Sequence, residues 1–334
     1  MRTLEIVHTT RYDYSAPVIL GDHQLRFRPR DSHDLRLLHT GLTIEPAARV
    51  RWIHDAFGNS IAIASFDGQT QRLELVSTIR LEHFGMPPDL GPIEEYAQTL
   101  PFNYLAEEAP DLARYVERHY PDPKTMVANW TKQFLQGEGD EGDARPETFA
   151  TLERMCKGIQ QGLRYAMRFE PGTKPPDATL ESGEGTCRDY ALLMMEGARA
   201  FGLAARFITG YLYDPALDET VGGKPNPAFA HAWTEVYLPG AGWVEFDPTN
   251  GIIGSERLIR VAVARHPEQA MPIKGTFTGA PDVKVNTQID VHVKSLAAVE
   301  PAPPPAPSDG LPAKPSAAPV AGTAVVPAVA LTQS

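Results

Sequence analysis

The stretch Gly183-Glu184-Gly185-Thr186-Cys187-Arg188-Asp189-Tyr190-Ala191 runs from a flexible loop into a helix. Leu192, Met195, Ala198 and Phe201 follow at helical spacing until Gly202, which suits a helix stop. Cys187 is thereby placed at, or within one turn of, a helix N-terminus. The unsatisfied backbone N–H groups and the helix dipole favour an anion there, so a thiolate is stabilised and the same N–H groups can serve an oxyanion. Cysteines near helix ends also serve packing alone, so a base has to be found for this one.

His231 opens the strand His231-Ala232-Trp233-Thr234-Glu235-Val236. After the turn Pro239-Gly240-Ala241-Gly242, the next strand runs Trp243-Val244-Glu245-Phe246-Asp247. Folding these strands as a hairpin brings the start of one beside the end of the other. His231 and Asp247 then become neighbours, and Asp247 can hold the imidazole in the tautomer that presents its other nitrogen to Cys187. The expected catalytic set is Cys187 as nucleophile, His231 as base and Asp247 as orienter. Asp189 is expected to cap the helix or touch substrate. Glu235 is expected to be an ion-pair partner, Trp233 and Trp243 to pack around the site, Tyr211 to be structural, and Tyr165 either structural or a group that polarises the substrate carbonyl.

Outward from this centre, Phe149, Leu152, Cys156, Ile159 and Leu163 mark one face of a helix opened by Pro146 and Glu147. Cys156 on that stripe reads as a buried packing thiol. Residues 170–185 read as a Gly/Pro-rich loop, and 206–212 as a further strand. Helices followed by strands give an α+β arrangement. Residues 1–84 alternate in short β-rich runs punctuated by turns such as Asp67-Gly68, which predicts an antiparallel β-sandwich or barrel. Residues 85–145 form a mixed connector with helical turns near 111–116 and 126–135 and an acidic loop at 137–143. Residues 146–296 are assigned to the catalytic domain, with strands near 283–293. The Ala/Pro-rich segment 297–334 is expected to be a disordered tail.

The 334 residues are 42% hydrophobic and 22% charged, with a net charge of −11. That acidity argues against nucleic acid as the main partner, because phosphate binding needs a clustered basic surface. The 2 cysteines could form one bridge but read better as free thiols in a reducing compartment. No signal-peptide pattern and no membrane-spanning apolar run is seen, so a cytoplasmic location is expected. The histidines at 8, 23, 33, 39, 54 and 83 lack metal-ligand spacing. Cys187, His231 and Asp247 could ligate zinc in principle, but fit a triad better without a second cysteine. No cofactor is expected. No Gly-x-Ser-x-Gly elbow supports a serine hydrolase.

Gly185-x-Cys187-x-Asp189-x-Ala191, Gly210-Tyr211, His231-Ala232-Trp233-x-Glu235-Val236 and Gly242-Trp243-x-x-x-Asp247-Pro248-Thr249-Asn250-Gly251 occur in that order. Over residues 150–255 this resembles the bacterial transglutaminase-like superfamily. Residues 1–84 also resemble the N-terminal domain that accompanies such cores. The resemblance implies a papain-like core with Cys187, His231 and Asp247 as its triad, acting on peptide or protein amides. Hydrolysis is favoured slightly over amine transfer. The alternative is a catalytically silent scaffold that binds a peptide or protein. No calcium loop of the EF-hand kind is present, so no metal requirement follows.

Overall fold

The computed structural model describes residues 1–85, 91–136, 145–168, 170–215, 220–221, 224–225 and 230–296. The acidic loop and the tail expected from the sequence lie outside those residues.

The chain opens with six strands: β1 (Arg2–Leu20), β2 (His23–Leu25), β3 (Leu35–Glu45), β4 (Ala48–His54), β5 (Ser60–Phe66) and β6 (Gln69–His83). Their period-two alternation is what folds them. Leu4 and Ile6 of β1 and Leu73, Leu75, Ile79 and Leu81 of β6 are wholly buried, with more exposed residues between them. In one sheet β6 lies between β1 and β3; in the other β5 lies between β2 and β4. Val18, Leu25, Phe27, Ala62, Leu73 and Leu75 meet between the two sheets as a hydrophobic core. The structure is thus the expected antiparallel β layer pair.

The connector contributes α1 (Ala109–Val116) and α2 (Met126–Thr131), followed by a 3₁₀ turn over Lys132–Phe134. Val127 and Phe134 pack into the same core as the helices after them. The helix expected from Pro146 begins two residues later, as α3 (Thr148–Gly162), with Glu147 at its N-cap. The strand β7 (Arg164–Tyr165) follows. Residues 170–185 are not all loop: Pro176 starts the short helix α4 (Pro176–Ser182), and Gly183, at φ 63°, ends it in the left-handed conformation. The loop reading missed this helix because two adjacent prolines, Pro175 and Pro176, mask a helix start.

After β8 (Glu184–Gly185) comes α5 (Cys187–Ala200). Every residue from Asp189 to Arg199 is buried, so α5 is a central helix rather than one with a single apolar face. Its end is a Schellman motif: Leu203 N–H donates to Ala198 O at 3.1 Å, and Gly202 N–H to Arg199 O at 2.9 Å, with Gly202 at φ 81°. Next are β9 (Ala205–Leu212), the small pair β10 (Thr220–Val221) and β11 (Lys224–Pro225), then β12 (Ala230–Leu238), β13 (Gly242–Asp247), β14 (Ile252–Ile253) and β15 (Leu258–Ala264). They form an antiparallel sheet in the order β14-β13-β12-β9-β15, with α5 packed on β12 and β9.

Residues up to 296 were expected to complete this α+β body. Instead β16 (Ile273–Lys274) pairs with β2, and β17 (Phe277–Thr278) and β18 (Val285–Leu296) pair with β1. The last strands therefore return to the N-terminal sheets. Alternation marks a strand but carries no information on which distant edge it joins. The two bodies also share a core, where Leu4, Ile6 and Leu81 meet Tyr211, Ile259, Val261, Val291 and Val293.

Candidate active site

Cys187 is the first residue of α5, and the turn before it is held by Asp189. One carboxylate oxygen of Asp189 accepts the Thr186 N–H at 2.9 Å and its hydroxyl at 3.0 Å. The other accepts Lys174 N–H at 2.7 Å and the Arg168 guanidinium at 2.9 Å. These four partners of the fully buried carboxylate are all structural, which answers the cap-or-substrate alternative in favour of the cap. Gly185 has to be small: a Cβ there would lie 2.9 Å from that of Asp189 and 3.1 Å from the Tyr190 ring.

The hairpin is present with a register that refines the expectation. Leu238 pairs with Gly242 and Thr234 with Phe246. Extending that ladder by one pair sets Asp247 opposite Trp233, so His231 meets Asp247 diagonally, on the same face. The imidazole Nε2 donates to Asp247 Oδ2 at 2.8 Å, and the ring stacks on the wholly buried Trp233 at a centroid distance of 6.0 Å. With Nε2 committed, Nδ1 is the nitrogen left for the Cys187 thiol, which lies close enough to the imidazole to favour its charged form.

Burial disfavours the imidazolium, but the Asp247 carboxylate and then the Cys187 side chain outweigh it and push His231 up to about 10. Burial likewise opposes the Asp247 charge, yet His231, Asn250 and the Thr249 N–H hold this carboxyl below its ordinary value. The turn after β13 provides that support. Thr249 N–H donates to Oδ1 at 2.9 Å, and the Asn250 side-chain amide donates to Oδ2 at 2.7 Å. The same amide is 3.5 Å from His231 Nε2. Asn250 had no role assigned from the sequence. Its signal was the short polar turn Asp247-Pro248-Thr249-Asn250, in which a side chain three residues on can fold back.

Tyr165 also reaches the site. β7 pairs in parallel with β8, setting Tyr165 against Gly185. Its half-exposed phenol lies beside Cys187, and burial and that neighbour raise its pKa. Cys156 is elsewhere: it is 0% exposed on α3, with its thiol 4.0 Å from Ile252 O, and burial pushes its pKa up. Both cysteines are free. Tyr211 is buried and hydrogen-bonded to His8 at 3.0 Å. Glu235 is paired with Arg206 and with Arg260, and the Arg206 guanidinium lies over the Trp243 ring at 4.1 Å. Among the described residues, no group of three or more His, Cys, Asp or Glu side chains is arranged to hold a metal ion, and no helix is long and apolar enough to cross a membrane.

The family model for the transglutaminase-like superfamily matches residues 130–248, the span that carries Cys187, His231 and Asp247. This part of the chain belongs to that superfamily. In front of this transglutaminase-like core, residues 4–82 match the bacterial transglutaminase-like N-terminal region. An uncharacterized protein of Mycobacterium leprae (strain TN) is 25% identical over 88% of this chain and 98% of its own. A protein-glutamine gamma-glutamyltransferase of Pseudomonas aeruginosa is 35% identical over 38% of this chain, but only 20% of that protein. The transglutaminase-like fold recurs in a candidate cysteine protease from Cytophaga hutchinsonii, with a TM-score of 0.67, 17% identity, and 89% and 91% of the two chains covered.

Proposed function

We propose that the chain is a cysteine enzyme that cleaves or transfers peptide or protein amides through an acyl-enzyme on Cys187. The observation that carries this reading is the buried His231–Asp247 pair at 2.8 Å, with the Cys187 side chain beside the same imidazole. A thiol needed only for packing has no use for a base and an orienter held in line with it.

In the proposed cycle the Cys187 sulfur attacks the amide carbonyl and the C=O electron pair moves onto oxygen. The Cys187 N–H at the start of α5 is the donor nearest the new oxyanion. The Tyr165 phenol, beside Cys187, is a second group that can turn its O–H toward the substrate oxygen. Collapse breaks the C–N bond, and the imidazolium of His231 gives its proton to the departing nitrogen. The thioester is then resolved by water, with His231 taking a proton, or by an amine. Hydrolysis is the favoured outcome, since water is the acceptor in excess unless a site excludes it.

Mass spectrometry of peptides and proteins incubated with the wild type and with Cys187→Ala tests this directly. Cleavage, deamidation and cross-linking leave different mass changes, and any of them should vanish in the variant. Iodoacetamide should alkylate Cys187 well before the buried Cys156. Equal, slow labelling of both thiols, or products that persist in Cys187→Ala, would sink the proposal.

A further inference from the structure

A second site lies away from Cys187, between the two N-terminal sheets. A cavity of about 340 Å³ opens there. Its floor follows from the strand register. On one sheet Trp52, Ala62 and Leu25 stand in a row across β4, β5 and β2. On the facing sheet Leu42 of β3 pairs with Ser77 of β6. Residues from both rows line the space.

The floor is closed and the rim is not. Ala62 and Leu25 are 0% and 1% exposed, whereas Trp52 in the same row is 50% exposed and Val50, two residues earlier on β4, is 42% exposed. Alternation turns these two side chains inward, yet the described residues leave about half of each uncovered. The cause is topological: β3 and β4 are each the outermost strand of their sheet, so the layers part at this edge. Apolar side chains held on an inward face but left uncovered form a surface that a ligand would bury.

The polar group at this mouth is cationic. The Arg28 guanidinium is held by the Thr40 hydroxyl at 2.6 Å, and among the described residues no carboxylate pairs with it. In a chain of net charge −11, an unpaired arginine on an apolar mouth selects for an anion. At about 340 Å³ the space sits at the small end of ligand pockets, which run from about 300 to 1,000 Å³, and suits a small molecule.

We propose that this cavity binds a small amphiphilic carboxylate, its apolar chain between the sheets and its carboxylate on Arg28. Sodium octanoate is the probe, with 1-octanol as its uncharged counterpart, titrated calorimetrically into the full chain. Octanoate binds saturably at one site. Arg28→Gln weakens octanoate about tenfold and leaves 1-octanol within about twofold, the size expected for one charge-assisted contact. Arg28→Lys keeps part of the octanoate affinity. Val50→Trp, which fills the mouth from a half-exposed position, weakens both ligands. Melting curves establish that each variant is folded. Absence of saturable octanoate binding to the folded wild type, or equal octanoate affinity in folded Arg28→Gln, overturns the assignment. Neither result touches the proposal for Cys187, because that chemistry is read from thiol alkylation and substrate mass.

Discussion

His231 shows how one residue can be disfavoured by burial and still hold its proton. Its value is raised from 6.5 to about 10, so the charge contributes stability fully below the unfolded value and loses it as pH rises through the folded one. The melting temperature of the wild type should therefore exceed that of His231→Gln by most at pH 6 and below, and the gap should close as the pH approaches 10. A gap that widens with rising pH would contradict the assignment of that proton. Asp247 works in the opposite direction: its depressed value contributes stability that is lost as pH falls below 3.8. The residues named from the sequence for this site were legible because a hairpin converts chain positions into neighbours. Asn250 and the contact of Tyr165 with Cys187 were not, because each depends on how a short segment folds back in three dimensions.

The strands and helices were mostly legible from period and punctuation, and the departures have physical causes. α4 hid behind prolines, and α5 is buried all round because β12 and β9 hold one side of it and the other helices cover the rest. The side-chain chemistry of the central sheet was only partly readable. Glu235 was foreseen as an ion-pair partner, but its neighbour Glu245 shares the same arginine, Arg260, at 2.9 Å. Burial first, and then the charge of Glu235, push Glu245 up to about 8, against the pull of Arg260. An acid whose folded value lies above its ordinary 4.5 destabilises the fold progressively as pH rises between those two points. Glu245→Gln keeps an acceptor for Arg260 and removes the repulsion. Its melting temperature relative to the wild type should thus improve from pH 5 to pH 9. A relative loss over that range would show that the two carboxylates repel less than their attraction to Arg260 compensates.

Across the whole molecule, the β-rich body and the transglutaminase-like core behave as joined parts. Asn59, in the turn before β5, donates to Val263 O at 2.7 Å and accepts the Val263 N–H at 2.9 Å, so its side chain imitates a strand partner for β15. Asn59→Ala would leave both backbone groups of Val263 without these partners, at a cost of about 2–3 kcal/mol. The urea midpoint should fall with no change in slope, and an unchanged midpoint would show that the turn does not couple the bodies. Such couplings are invisible to local pattern, as was the return of β18. That return has a consequence for synthesis. β1 pairs with β6 along one edge and, from Thr3 to Tyr14, with β18 along the other. A ribosome releases the first strand early and the closing strand only after the entire transglutaminase-like core. Until then one edge of β1 is open to any passing chain, and partly made protein is exposed to mispairing. The pace of translation through the final segment, and the help of a holdase during it, should therefore govern how much correctly folded protein a cell recovers.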